Sequence, residues 1–239
     1  MDTFSFSRLS LYDDCPRRFY YRYILALEEK EGVPLWLGRA IHKAIERKIV
    51  GDSFDSALIQ GMAAINFNQT VPFNDLKFLL NNLPANVQGN TEQYFKLALN
   101  EEGTLFLQGY IDLQNGPEIT DWKSNRKIYS VNDTAQIGLY SWAIHQLYGY
   151  EQVKGRLYFL RFRKESAFVY DRSTMELARQ WALQLAQEIL IKLQQVQSGG
   201  NWCGLFPSVR SSKCSHCPFA IACYRSQSNP IIKTFLESE

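Results

Sequence analysis

Asp112, Asp121 and Lys123 are the residues of this chain whose types and spacing best suit chemistry on a phosphodiester. They lie in two segments of period-two character, LFLQGYIDLQ (105–114) and EITDWKS (118–124), joined by Asn115-Gly116-Pro117, a hairpin signal. Pro117 has no N–H to close a two-residue loop over 115–116, so the four-residue loop 114–117 is predicted. Either loop sets Asp112 opposite Ile119. Residues opposite each other across a hairpin, or two apart on one strand, share a face. Asp112, Ile119, Asp121 and Lys123 then point the same way, with the two carboxylates as diagonal neighbours roughly 7 Å apart at Cβ. Two carboxylates at that separation can close on one divalent cation, and the lysine stands beside it. Hydrolysis of a phosphodiester needs this set: hard oxygen ligands for the metal and a cation facing the growing negative charge. On a surface hairpin the same residues would form only a cross-strand Asp–Lys pair, and an odd-length loop would turn one strand over and dissolve the grouping.

The cysteines are the second constellation. Cys214, Cys217 and Cys223 are spaced C-x2-C-x5-C with His216 inside, one thiolate short of a four-sulfur site. Cys15, at a helix break in DDCPRRFYY, is the natural fourth, and Cys203 matches no spacing and reads as a free thiol. Four thiolates suit a [4Fe–4S] cluster or structural zinc. Zinc ligands usually come as two local pairs, so one plus three favours the cluster. A staple closing so long a loop would contribute on the order of 5 kcal/mol.

These residues require a scaffold. Residues 7–26 read as two short helices broken before Pro16. From Gly38 to Ile49, Ile41, Ile45 and Ile49 recur every four residues as a helical stripe with His42 at its margin. Residues 51–105 read as a helical insertion; six acids against Lys77 and Lys96 argue against its lying on a phosphate backbone. A helix capped by Asn132 or Asp133 runs to about Tyr148. A hairpin follows, with strands near 156–163 and 167–171. A long helix with a Ser173–Glu176 capping box then ends at Gly199-Gly200. Strands between helices make this an α/β chain around one mixed sheet, expected to be a single domain over 1–239 whose 201–225 segment packs on the Cys15 region.

With 46% hydrophobic and 21% charged residues the chain is neither disordered nor fibrous. No apolar run is long enough to span a bilayer and no secretory leader is present, so a soluble cytoplasmic protein without a membrane partner is expected. The formal net charge of +2 excludes strongly basic coating proteins. Basic residues are instead local: Arg126 and Lys127 follow Lys123, and 154–164 includes Arg161, Arg163 and Lys164 with no acid. Such stretches suit a phosphate backbone or an ordinary solvated strand face.

GYID followed by TDWKS, with Gly38-Arg39-Ala40-Ile41-His42 and Glu46 upstream and Gln136-Ile137-Gly138-Leu139-Tyr140 downstream, resembles the PD-(D/E)xK nuclease superfamily. The RecB-type branch, with the AddB nuclease domain and CRISPR-associated exonucleases, is the nearest in motif order. The resemblance implies a restriction-endonuclease-like core. It makes His42 a metal ligand, Asp112 and Asp121 metal-binding carboxylates, Lys123 the catalytic lysine, and Gln136 and Tyr140 a substrate-holding QxxxY element. The Trp122 carbonyl would complete a Mg²⁺ or Mn²⁺ shell, and Cys15, Cys214, Cys217 and Cys223 would hold an iron–sulfur staple. It also implies DNA as substrate, single-stranded or with free ends, cut as by an exonuclease, and partners such as a helicase or CRISPR adaptation proteins. A catalytically silent iron–sulfur module that binds DNA is the competing expectation, although every catalytic position is occupied.

Overall fold

The structure is a computed structural model that describes residues 1–29 and 31–228. In chain order its elements begin with β1 (Thr3–Phe4), α1 (Phe6–Asp14), α2 (Pro16–Phe19), a π-helical turn (Tyr20–Ile24), α3 (Val33–Val50), α4 (Phe54–Ala63) and α5 (Phe73–Asn81). They continue with β2 (Asn90–Ala98), β3 (Phe106–Asn115), β4 (Glu118–Lys123), a 3-10 turn (Val131–Asp133), α6 (Gln136–Tyr148), β5 (Gln152–Phe159), β6 (Lys164–Asp171) and α7 (Arg172–Gln197). The tail holds α8 (Trp202–Leu205), a 3-10 turn (Ser212–His216) and α9 (Ala220–Ser228). Among the described residues no helix is long and apolar enough to cross a membrane.

Two compact units result, one drawn from the two ends of the chain and the other spanning Glu31–Ala182. The second unit carries a mixed sheet of order β2–β3–β4–β5–β6, antiparallel throughout except for the parallel pair β4–β5. Parallel neighbours need a crossover, here α6, which brings its first residue, Gln136, back to the carboxyl end of β4. One face of β4 and β5 meets α6: Ile119, Asp121 and Lys123 pair with Gly155, Leu157 and Phe159. The other face presents Trp122 and Tyr158 to a core filled by Leu37, Ile41, Ile45, Leu58, Leu76 and Leu80 of α3, α4 and α5. A mixed sheet flanked by helices is thus the α/β architecture expected.

Two expectations about the sheet need correction. The stretch 51–105 is helical only as far as α5; its end is strand β2, paired along β3. Gln93, Tyr94 and Phe95 offer aromatic and alternating character that favours a strand over a helix. The β3–β4 register is also shifted by two: Gln114 opposes Ile119, and the loop is Gly116-Pro117. Pro117 sits inside the loop, where no N–H is required, as the four-residue loop also had it; the loop is shorter by Gln114 and Asn115, which pair in the ladder. Gly116 takes φ +55°, as the first central residue of a type II′ turn must. A shift of two preserves the faces, so Asp112 and Asp121 stay cofacial, each one residue beyond the last ladder pair, Leu113–Thr120.

Elsewhere the boundaries move. The turn of the second hairpin is 160–163, not 164–166, and α6 starts at Gln136 behind a 3-10 turn capped by Ser130. The cap of α7 is Asp171, not Ser173: its Oδ1 accepts the Thr174 N–H at 2.9 Å, the Thr174 hydroxyl at 2.8 Å and the Ser173 hydroxyl at 2.9 Å. These bonds, the Thr174 N–H foremost, hold the Asp171 carboxyl down to about 2. A depressed acid contributes stability above its unfolded value near 4, and that stability is lost as pH falls through about 2. Asp171→Ala should therefore lower the melting temperature at pH 7, with the gap to the parent closing between pH 4 and pH 2 in circular dichroism melts.

The first unit is an aromatic nest. Phe19, Tyr20 and Tyr21 are buried, Tyr20 stacked on Trp202 at 5.0 Å and Tyr21 edge-on to Phe219 at 5.6 Å. Arg17, only 4% exposed, donates to the carbonyls of Phe206 (2.7 Å) and Cys203 (2.6 Å) and to Ser226 Oγ (2.9 Å). These contacts join the N-terminal helices to the tail.

Candidate active site

The carboxyl end of β4 is where the chemically competent residues of the second unit meet, as the crossover geometry of α/β sheets favours. Asp112 accepts the Trp122 N–H at 2.8 Å on Oδ2, a side chain standing in for the next rung of the β3–β4 ladder. His42 on α3 donates through Nε2 to the Trp122 carbonyl at 2.8 Å and sets Nδ1 3.3 Å from Asp112 Oδ1. Asp121 is 4% exposed. Its Oδ1 accepts from Gln136 Nε2 at 2.7 Å, and its Oδ2 pairs with Lys123 Nζ at 2.7 Å. Lys123 donates to Gln136 Oε1 at 2.9 Å, and Gln136 reaches Tyr140 at 3.4 Å.

One residue of the site was not anticipated. His42, Glu92 and Asp112 each offer a ligand atom, all within 4.8 Å of one another. Glu92 falls between the β2–β3 pairs Thr91–Leu113 and Gln93–Ile111, opposite Asp112, with φ +50°. Reading 51–105 as helical hid it; treating residues 90–98 as a strand beside β3 would have placed a carboxylate across from Asp112.

The electrostatics describe a site short of positive charge. Burial, then the Asp112 charge, pushes Glu92 up to about 7. Burial raises Asp121 as well, with Asp112 adding to it against the pull of Lys123. Burial opposes protonation of His42, but Asp112, with Asp121 and Glu92 behind it, outweighs that and lifts it to about 9. Lys123 is likewise held charged by Asp121 against the cost of burial. Two carboxylates and an imidazole within 4.8 Å of one another, with the Asp121 carboxylate beside them, fit a hard divalent cation. His42, Glu92 and Asp112 would hold it, with Asp121 adjacent.

Of the basic residues read as a backbone track, Arg126, Lys127, Arg163 and Lys164 are exposed and Arg161 is half-buried. Arg161 instead donates to the Ser124 carbonyl at 2.9 Å and pairs with Asp75, and Arg163 donates to Asn82 at 2.7 Å. In the first unit, Cys15, Cys214, Cys217 and Cys223 line one cavity of about 480 Å³ together with Arg17, Arg18 and Arg210, whereas Cys203 does not line it. Burial raises the Cys217 thiol.

A buried carboxylate–lysine–glutamine network beside a His/Glu/Asp cluster, on a mixed sheet crossed by α6, defines a nuclease-type hydrolase. The chain belongs to the PD-(D/E)XK nuclease superfamily, whose profile matches residues 3–224. Among solved structures it is similar to an Eubacterium rectale protein provisionally described as an exonuclease. The two are 12% identical with a TM-score of 0.50, covering 90% of this chain and 87% of that one, a likeness of fold. It also matches SSO0001, 15% identical, covering 93% of this chain and 86% of that chain with a TM-score of 0.42. No curated protein matches by sequence.

Proposed function

We propose that the protein is a divalent-metal-dependent DNA nuclease of the RecB-type branch, acting on single-stranded DNA or DNA ends. The observation that carries this reading is the shared network of Asp121, Lys123 and Gln136 beside His42, Glu92 and Asp112. A bound Mg²⁺ or Mn²⁺ would supply positive charge and Lewis acidity to the phosphoryl group. Lys123, aimed by Asp121 and Gln136, presents its ammonium to charge developing on the phosphate oxygens. Gln136 fixes that lysine and reaches Tyr140 with the same amide, so α6 sets the position of the cation. His42 ties α3 to the β4 backbone at Trp122 and orients Asp112. Arg126, Lys127 and Lys164 are exposed cations for the backbone of the substrate.

The test is end-labelled single- and double-stranded DNA with Mg²⁺ or Mn²⁺, and with EDTA as control. Metal-dependent shortening from ends, faster on single strands, is expected. DNA binding without cleavage under any metal would leave the silent binding module.

Cys15, Cys214, Cys217 and Cys223 line one cavity, and as ligands they divide into one and three rather than the two local pairs usual for zinc, which supports a [4Fe–4S] cluster. Anaerobically purified protein should carry iron and visible absorption. Cys15→Ala should lose both and fall in stability by up to about 5 kcal/mol. Zinc without iron in the parent, or a Cys15→Ala protein as stable as the parent, would reject the staple.

A further inference from the structure

Three glycines lie inside helices of the second unit: Gly38 in α3, Gly61 in α4 and Gly138 in α6. Two of them have a packing reason. A Cβ on Gly61 would stand 2.6 Å from the Ala40 carbonyl oxygen, and one on Gly138 would stand 2.9 Å from Ala178 Cβ. Gly38 has no such reason: among the described residues outside its own helix, its Cβ would meet only Ser124 Oγ, at an unstrained 3.9 Å. Nor does Gly38 take a positive φ. Glycine in a helix interior is destabilising relative to alanine, so its presence here is explained neither by packing nor by backbone conformation.

The remaining use of a bare Cα is the close approach of another molecule. Gly38 lines an open cavity of about 460 Å³, within the range of ligand sites, together with Leu35, Arg39, His42, Lys43 and Glu92. His42 and Glu92 belong to the candidate metal cluster, and His42 follows Gly38 by four residues on the same face of α3. Where the Cβ of Gly38 would point stands Ser124, the neighbour of Lys123. An occupant of this cavity is therefore bounded by the metal cluster, the carboxyl end of β4 and bare helix backbone. Two cations flank Gly38: Arg39, which pairs with Glu31 and covers the Trp36 ring at 5.0 Å, and Lys43, which pairs with Glu46 at 2.7 Å. Both side chains are more than a third exposed, and ion pairs in water hold weakly, so a phosphate can replace either carboxylate. Exchangeable cations, an apolar wall at Leu35 and backbone without a side chain suit one nucleotide of a strand. We propose that Gly38 is a specificity-determining position, whose bare Cα admits the nucleotide adjoining the scissile phosphate between α3 and β4, with Arg39 and Lys43 on the flanking phosphates. The identity of the strand rests on the nuclease reading; the open space at Gly38 does not.

The experiment makes Gly38→Ala and Gly38→Leu in the full-length protein. It measures the melting temperature, the affinity for a short fluorescein-labelled single-stranded oligonucleotide in EDTA, and the rate at which Mn²⁺ supports its shortening. Both new residues are strong helix formers and the cavity has room for either, so the melting temperature should rise, by about 2–4 °C for alanine. Affinity should nevertheless fall, about fivefold for alanine and further for leucine, as overpacking of a close contact requires. The cleavage rate should fall with it. A glycine kept for folding would give the opposite sign in the melt, so a lower melting temperature in Gly38→Ala overturns the proposal. Should Gly38→Leu fail to fold, Gly38→Ala decides alone. A parent that binds the oligonucleotide but shortens it with no metal removes the nuclease reading and leaves the titration to decide on Gly38. Unchanged affinity and rate in the folded variants beside an active parent overturn the Gly38 proposal alone, and a parent that binds no oligonucleotide overturns it as well.

Discussion

Lys123→Ala is expected to lower kcat for DNA cleavage by about 10²–10³, the usual loss when one preorganised donor to a developing oxyanion is removed. The magnitude follows from where the ammonium sits. Lys123 is mostly buried, within 2.7 Å of Asp121 Oδ2 and donating to Gln136 at 2.9 Å, so its position is set before substrate arrives. Water that replaces it would have to reorient as charge develops. Binding of DNA in EDTA should change little, because one partly buried cation adds little to the salt-dependent contact of several exposed ones. Losing the lysine also leaves Asp121 buried without its cation, which raises that carboxyl further and lowers stability. Single-turnover rates and melting curves on the same preparation separate the two effects. A Lys123→Ala protein that cleaves at the parent rate while folded would remove Lys123 from the chemistry.

The parts of this site that were legible in the sequence were those whose logic is local. Period two over 105–114 and 118–124 is enough to make Asp112, Asp121 and Lys123 cofacial, and it survives a two-residue error in register because side chains alternate with period two. That error came from centring the turn on Asn115-Gly116, which required a four-residue loop to spare Pro117 a closing role; centred on Gly116-Pro117, a two-residue loop keeps the proline inside, where an N–H is dispensable. Glu92 was not legible because its contribution is non-local. Nothing within a few residues of it names β3 as its neighbour, and it was counted among the acids of a helical insertion held off a phosphate backbone. The same limit applies to Arg161 and Arg163, which look like free cations in a linear string yet are engaged by Ser124, Asp75 and Asn82 from distant elements. His42 was placed on the margin of its stripe by periodicity, but its two partners, Trp122 and Asp112, belong to the sheet.

Gly155→Ala should impair the nuclease from a position that touches none of the reacting groups. A Cβ built on Gly155 would stand 2.1 Å from Ile137 Cγ2 and 3.1 Å from the Tyr170 ring, so α6 must lift or Ile137 must leave its rotamer. Ile is β-branched and nearly fixed at χ1 in a helix, which directs the strain into the helix itself. Overpacking of this kind costs about 1–3 kcal/mol, and a clash this close belongs at the upper end. The residue before Ile137 is Gln136, whose amide holds both Asp121 and Lys123, so the displacement reaches the lysine through one peptide unit. The expected result is a lower melting temperature together with a fall in kcat larger than the fraction unfolded explains. Ile137→Ala alone should also destabilise, by leaving a cavity at the α6–β5 contact. Combined with Gly155→Ala it removes the clashing methyl, and the double variant should be more stable than the sum of the two losses by about 0.5–3 kcal/mol. Strict additivity in that cycle, or a Gly155→Ala protein with parental stability and turnover, would mean that α6 is not held on β5 through this contact and that Gln136 is positioned by some other means.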